Sequence, residues 1–432
     1  MDHLGLDLGT TTISAAVLDA DGRLLCTRTV PGGAAVAGQP RERKQDARGI
    51  EHAALSLLDG LLQEFPDIGC VGLTGQMHGI VYVDAAGQLL SPLYTWQDET
   101  GAQPGADGKS MAARLTARTG YPLASGYGLV TLACHQAAGT IPDGAAAVCT
   151  IADYLAMRLS GRSTPRLTPS MAASLGLFNG TDFDRKAVHR AGLPERLLPE
   201  VSEKAELTGG RLRVFAALGD NQASFLGAGQ GRLDAPLVNI GTGSQFSFFT
   251  KEHRTVPGLE TRPFPGGWLL TGAPLCGGRS FALLERFFRQ TAELVTGTPC
   301  PSAYPAMLRA LEAPMPDDVP QFRTTFAGTR QDPAERAVLS GLDEENFAPV
   351  PLLHALLRGM ADELSACYRA ALDAGCLPAG RLLGSGNGLR RNPALQRAVE
   401  RSFGLPLTLA AVPEEAACGA ALFARMGMQE AF

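Results

Sequence analysis

The sequence predicts an α/β protein built from two related domains, and three features point to it. At 432 residues the chain exceeds what one ordinary core accommodates, so two domains of about 200 residues each are expected. Short apolar strands alternate with amphipathic helices through both halves. The pattern strand, Gly/Thr turn, strand at His3–Leu18 returns at Leu237–Phe249, which indicates structurally related halves facing each other across a cleft. Gly, Arg, Asp and Pro cluster at Gly229–Pro236, so the domains are expected at 1–230 and 231–432.

The elements follow in order. His3–Leu8, Ile13–Leu18 and Leu24–Val30 read as three antiparallel strands, joined by Gly9–Thr12 and by the turn Asp19–Gly22. Ile50–Phe65 carries Ala54, Leu57, Leu58, Leu61, Leu62 and Phe65 near a 3.6-residue period and predicts an amphipathic helix. Gly69–Leu73 is an apolar strand ending at Thr74–Gly79. Asp98–Leu129 reads as an irregular excursion with one helix near Ser110–Arg118, followed by a helix over Ile151–Leu159. Arg213–Leu218 is a buried strand ending at Gly219–Asp220, and Gln222–Ala228 opens the next helix. In the second half, strands Leu237–Ile240 and Gln245–Phe249 flank Gly241–Ser244. A helix over Leu352–Leu372, a strand at Arg381–Leu383, the loop Gly384–Gly388 and helices over Pro393–Ser402 and Glu414–Ala424 complete the chain.

Composition narrows the function. Hydrophobic residues make up 45% and charged residues 19%, enough apolar material for two cores. A net charge of −5 gives no basic footprint and argues against nucleic acid as the partner. Nine cysteines without a CxxC pair fit reduced thiols rather than a disulfide frame or a zinc site. The N-terminus enters a strand directly and no apolar run reaches bilayer length, so a cytoplasmic protein without a membrane partner is expected.

Four loops carry the chemistry, each at the carboxyl end of an apolar strand, where open α/β sheets bind ligands. In the first, Gly9 permits a tight turn, Thr10, Thr11 and Thr12 offer hydroxyls and N–H groups to phosphate oxygens, and Asp7 can hold hydrated Mg²⁺. An ordinary hairpin explains such a loop equally well. Its counterpart Gly241–Thr242–Gly243–Ser244 opens the other half, and two such loops favour phosphate binding over coincidence. In the third, Asp220 follows a buried strand; it can cap a helix, or accept the proton of an attacking hydroxyl. In the fourth, Gly384 and Gly386 with Asn387 leave room for a flat ring, or form a plain strand–helix turn. Two polar-aromatic segments suit a sugar's hydroxyls and C–H faces: Gln76–Met77–His78 and Trp96–Gln97–Asp98. Core packing is the alternative for Trp96.

Taken in this order, the motifs resemble the FGGY carbohydrate kinases, a branch of the sugar kinase–Hsp70–actin superfamily, over essentially the whole chain. The D-x-G-T-[TS] loop is matched by Asp7, Gly9, Thr10 and Thr11, and the G-D-x-x-A segment by Gly219, Asp220 and Ala223. The second phosphate loop is matched by Gly241 to Ser244, the adenosine loop loosely by Gly384 to Asn387, and the terminal helix by Glu415–Ala421. The resemblance implies two RNase H-like, actin-like ATPase domains and the cosubstrates MgATP and a sugar. It assigns Asp220 as catalytic base, and Gln76, Met77, His78, Trp96, Asp98 and Asn221 to the sugar. A homodimer is compatible with it. The Gln76–Gly79 segment points to ketose kinases, and Thr95–Asp98 with Gly219–Ser224 to the sedoheptulokinase kind before xylulokinases or ribulokinases. The chain departs from the family at Glu99–Thr100, where Gly–Arg is common, which leaves the particular sugar open. Two other classes compete: an actin- or Hsp70-like ATPase switch, and an inactive sugar sensor. A Rossmann dehydrogenase is excluded because no G-x-G-x-x-G follows the first strand.

Overall fold

The computed structural model describes residues 1–202, 206–207, 212–275, 277–329, 332 and 334–429. The chain divides into two compact units, Met1–Gly231 with Pro263–Gly266 and Val412–Phe432, and Arg232–Arg262 with Gly267–Ala411.

In the first unit the site-bearing strands are β1 (Asp2–Leu8), β2 (Thr12–Leu18), β3 (Leu24–Pro31), β4 (Ile68–Gly75), β5 (Glu206–Leu207), β6 (Arg213–Phe215) and β7 (Leu218–Gly219). They form one sheet in the order β5-β6-β4-β1-β2-β3, with β7 also paired to β4. β1–β2 and β2–β3 are antiparallel, whereas β4 runs parallel to β1, β6 and β7. The expected strand over Arg213–Leu218 is therefore two short strands that pair with different stretches of β4. Leu4, Leu6, Ile13, Val17 and Leu73 are fully buried, and burying each such side chain contributes roughly 1.5–3 kcal/mol.

Helix α1 (Ala47–Glu64) turns Ala47, Ile50, Ala54, Leu58 and Leu61 inward. It starts three residues before the apolar stripe because the Asp46 side chain accepts from Arg48 N and caps it. The excursion 98–129 holds the expected helix, at Met111–Thr119, capped by Ser110. Helix α2 (Pro169–Leu175) has Pro169 in its first turn after the cap Thr168. Helix α3 (Asp220–Ala228) begins at Asp220 itself, with Gly219 as its N-cap.

The second unit repeats the plan. Its sheet holds β8 (Leu237–Ile240), β9 (Ser244–Thr250), β10 (Glu260–Phe264, whose last two residues count with the first unit), β11 (Gly267–Gly272), β12 (Leu382–Ser385) and β13 (Leu407–Leu409), in the order β10-β11-β9-β8-β12-β13. β8–β9 and β9–β11 are antiparallel, and β12 runs parallel to β8 and β13. Strands β3-β2-β1-β4 and β11-β9-β8-β12 thus share order and direction, which bears out the two related α/β halves read from the repeated hairpin. Helices α4 (Gly278–Thr296), α5 (Pro349–Asp373) and α6 (Pro393–Phe403) belong to this unit.

The last helix, α7 (Glu415–Met428), belongs to the first unit, where it packs on β1, β4 and α3. Backbones touch there. A methyl group at Gly419 would collide with Ala223 O, and one at Gly227 with Glu415 O. Glycine is needed for approach rather than for dihedral freedom, and the small-residue run Ala416–Ala421 gives α7 a flat face. Among the described residues the cysteines are free thiols; Cys276 lies outside them. Among the same residues no helix is long and apolar enough to cross a membrane.

Candidate active site

Register places the first-unit motifs side by side. Leu8 pairs with Gly75 across β1–β4, and Gly219 pairs with Gly75 across β4–β7. Three adjacent parallel strands therefore end together and release Gly9–Thr12, Gln76–Gly79 and Asp220–Asn221 along one sheet edge.

Asp7 lies one pleat back on β1, opposite Thr74. Burial, then the carboxylates of Asp220 and Glu414, push its carboxyl up to about 7. Its Oδ1 is buried without a hydrogen-bond partner, and a buried acceptor left unmet calls for an ion or water. Asp220 Oδ1 accepts from Asn221 N at 2.6 Å. A cation suits this pair. Among the described residues no three His, Cys, Asp or Glu side chains converge to hold a metal unaided.

The sugar-type segments lean on the same edge. Gln76 Nε2 donates to Gln45 Oε1 at 2.9 Å, and Met77 packs on Gly219, where an added methyl would meet its sulfur. His78 has a φ of 72°, in the left-handed region. Its backbone N donates to Ser174 Oγ (3.2 Å), its Nδ1 lies 2.6 Å from Ser174 O, and its ring stacks on Tyr127 at 4.5 Å. A carbonyl can only accept, so Nδ1 carries the proton. Trp96 is 46% exposed and its Nε1 donates to Thr10 Oγ1 at 3.0 Å. Both Asp98 oxygens accept from backbone, Oδ2 from Arg43 N (3.1 Å) and Oδ1 from Thr100 N (3.0 Å), so this buried carboxylate pins two chain segments.

Four residues that sequence reasoning missed hold these loops. Ser170 Oγ accepts from Gly219 N at 3.2 Å, so α2 braces Asp220 through Ser170 and His78 through Ser174. Tyr127 supports the His78 ring, and Gln45 supports Gln76. A legible signal existed for two of them: hydroxyls at Ser170 and Ser174, four apart on one short helix, share a face.

In the second unit, Gly241 N donates to Gly243 O (3.0 Å), closing the turn, while Thr242 and Gly243 stay exposed. The first amides of α4 pin this turn, Gly278 N donating to Gly241 O (2.9 Å) and Arg279 N to Thr242 O (3.0 Å). That bracket, from Gly277–Gly278, was also unread in the sequence. Ser244 Oγ contacts Pro274 O at 3.5 Å. The pairing of Asn239 with Ser385 sets the loop of Gly384, Gly386 and Asn387 beside the hairpin. Gly386 has a φ of 88°, and a methyl there would meet Ile240 O. Asn387 is exposed at the start of a short helix.

Solved structures share this fold. A xylulose kinase from Rhodospirillum rubrum superposes with a TM-score of 0.82 at 23% identity, covering 99% of this chain and 90% of that one. Models of the FGGY family of carbohydrate kinases match residues 3–230 (N-terminal domain) and 237–428 (C-terminal domain). The chain belongs to the FGGY family of carbohydrate kinases and is an ATP-dependent sugar kinase, a transferase. It is 29% identical to a sedoheptulokinase of Mus musculus, covering 97% of this chain and 96% of the relative. It is 26% identical to a xylulose kinase of Streptomyces coelicolor, covering 97% and 86%.

Proposed function

We propose that the chain is a cytoplasmic ketose kinase that phosphorylates sedoheptulose from MgATP, with Asp220 as the base. The observation that carries this reading is the register of Gly219 with Gly75, which sets Asp220 beside Gln76–Met77 and close enough to Asp7 for their charges to interact. The sedoheptulokinase relative, matched over nearly its full length, supports the sugar. In this reading residues 1–230 bind the sugar and carry the base, and 231–432 supply the second phosphate loop and the adenosine site.

The Asp220 carboxylate accepts the proton of the sugar hydroxyl as its oxygen bonds to the γ-phosphorus. The bond to the β–γ bridging oxygen breaks, and ADP leaves. Gln76, Met77, His78, Asn221 and the half-exposed face of Trp96 orient the sugar, with Asp98 bracing the Trp96 loop. The amides and hydroxyls of Gly9–Thr12 and Gly241–Ser244 hold phosphate oxygens, and Gly384, Gly386 and Asn387 border the adenosine. Asp7 would hold hydrated Mg²⁺, which when bound neutralises charge on the β- and γ-oxygens.

Pentulose phosphorylation is the second reading, favoured by the xylulose kinase relative. ADP release measured with sedoheptulose, xylulose and ribulose separates the two. We expect turnover with sedoheptulose, reduced about 10²–10⁴-fold in Asp220→Asn. Preference for a pentulose supports the second reading. ADP release that ignores every sugar, or survives in Asp220→Asn, refutes both.

A further inference from the structure

Gln45 precedes α1, is buried, and belongs to none of the sequence motifs. Its Nε2 lies 2.7 Å from Thr10 O and 3.3 Å from Gly33 O. Backbone carbonyls only accept, so chemistry alone decides which end of this amide is nitrogen. The oxygen of Gln45 must then be the atom 2.9 Å from the Gln76 side chain. Two amide oxygens cannot face each other at that distance, so Gln76 turns its nitrogen to Gln45. The sense of one amide thereby sets the sense of the next. What remains is Gln76 Oε1, buried and with no hydrogen-bond donor from the protein. Leaving such an acceptor unmet costs roughly 1–3 kcal/mol.

We infer that Gln45 is a positioning residue that fixes the amide of Gln76, so that Gln76 meets the sugar as an acceptor from a hydroxyl. The inference rests on the kinase reading for the identity of the donor, but not for the relay itself. The same Gln45 amide holds Thr10, which also receives the Trp96 N–H. Gln45 thus joins the loop that faces the sugar to the loop that faces phosphate. The site selects a hydroxyl donor at this position; a ligand offering an ether or carbonyl oxygen there leaves two acceptors opposed.

Two measurements test this. Side-chain amide exchange, followed by NMR in glutamine-labelled protein, needs no substrate. The Gln76 amide proton facing Gln45 is expected to exchange on the order of tenfold more slowly than a free amide, and Gln45→Met to abolish that protection. Free exchange at Gln76 in the unmodified protein overturns the relay. The second is a double-mutant cycle on the sugar KM. Gln45→Met and Gln76→Met are each expected to raise it about tenfold with kcat changed less, and the pair to do no more than the larger single loss. Additive losses, or an unchanged sugar KM in either variant, overturn the proposal; the latter result would mean that a buried water meets Gln76. If Gln45→Met does not fold, Gln45→Leu, which removes both the donor and the acceptor of this side chain, takes its place with the same expectations. Absence of turnover with every sugar counts against the kinase reading instead, and the exchange measurement still decides the relay.

Discussion

The indole N–H of Trp96 donates to the Thr10 hydroxyl at 3.0 Å, so an exposed aromatic of one loop is fastened to the Gly/Thr turn of another. A flat ring held by one hydrogen bond keeps its orientation while leaving a face open.

Trp96→Phe retains an aromatic face and removes the donor. The lost hydrogen bond, about 1 kcal/mol, predicts a roughly fivefold rise in the KM for ATP with a smaller change for the sugar. Steady-state kinetics in both substrates check it. A change confined to the sugar KM would mean that the bond to Thr10 has no part in phosphate binding.

The carboxyl of Asp7, raised from 3.8 to about 7 by burial, Asp220 and Glu414, predicts a pH dependence of stability. Between pH 4 and 7 the folded protein holds this proton while the unfolded chain has released it. The contribution is therefore fully present below about pH 4 and is lost as pH rises through about 7. In ligand-free protein the urea midpoint should fall more between pH 5 and 8 for the unmodified chain than for Asp7→Asn. Parallel curves would show that Asp7 is not buried beside another carboxylate. Asp220→Asn should move the loss to lower pH.

Gly386→Ala places a methyl at a φ of 88° and against Ile240 O. A backbone at φ 88° and ψ 145° is essentially confined to glycine and costs about 1–3 kcal/mol with a side chain, and the contact adds to it. Binding of a fluorescent ATP analogue should weaken at least about tenfold if the loop borders the nucleotide. Unchanged affinity with lowered stability would make the loop a structural turn.

Much of this was legible in the sequence because it is local. Apolar runs of strand length, Gly and Thr at their ends and the recurrence of one hairpin need no distant partner; the strand expected at Leu237–Ile240 formed there, and the one expected at His3–Leu8 formed one residue longer, at Asp2–Leu8. Boundaries moved where caps act: Asp46 starts α1 early, and Gly219 lets α3 begin at Asp220. Gln45 and Tyr127 were not legible, and for Ser170 and Ser174 only their shared helix face was, not the loops they brace. Each works through a partner far away in the chain, and a buried amide or hydroxyl looks the same in sequence whether or not it braces a loop.

The sequence by itself determined the two related α/β halves, the order of the ligand-type loops and the family, because those reside in periodicity and in motifs spaced along the chain. Tertiary structure decided which loops became neighbours. The parallel pairing of β4 with both β1 and β7 brings Gly9, Gln76 and Asp220 to one edge, and that pairing depends on hydrogen bonds between strands far apart in the chain. It also decided that α7, last in the chain, returns to the first unit, since Gly227 and Gly419 permit a backbone contact that no larger side chain would fit. Lastly it raised the carboxyl of Asp7, through burial first and the charges of Asp220 and Glu414 second, and not through the residue type.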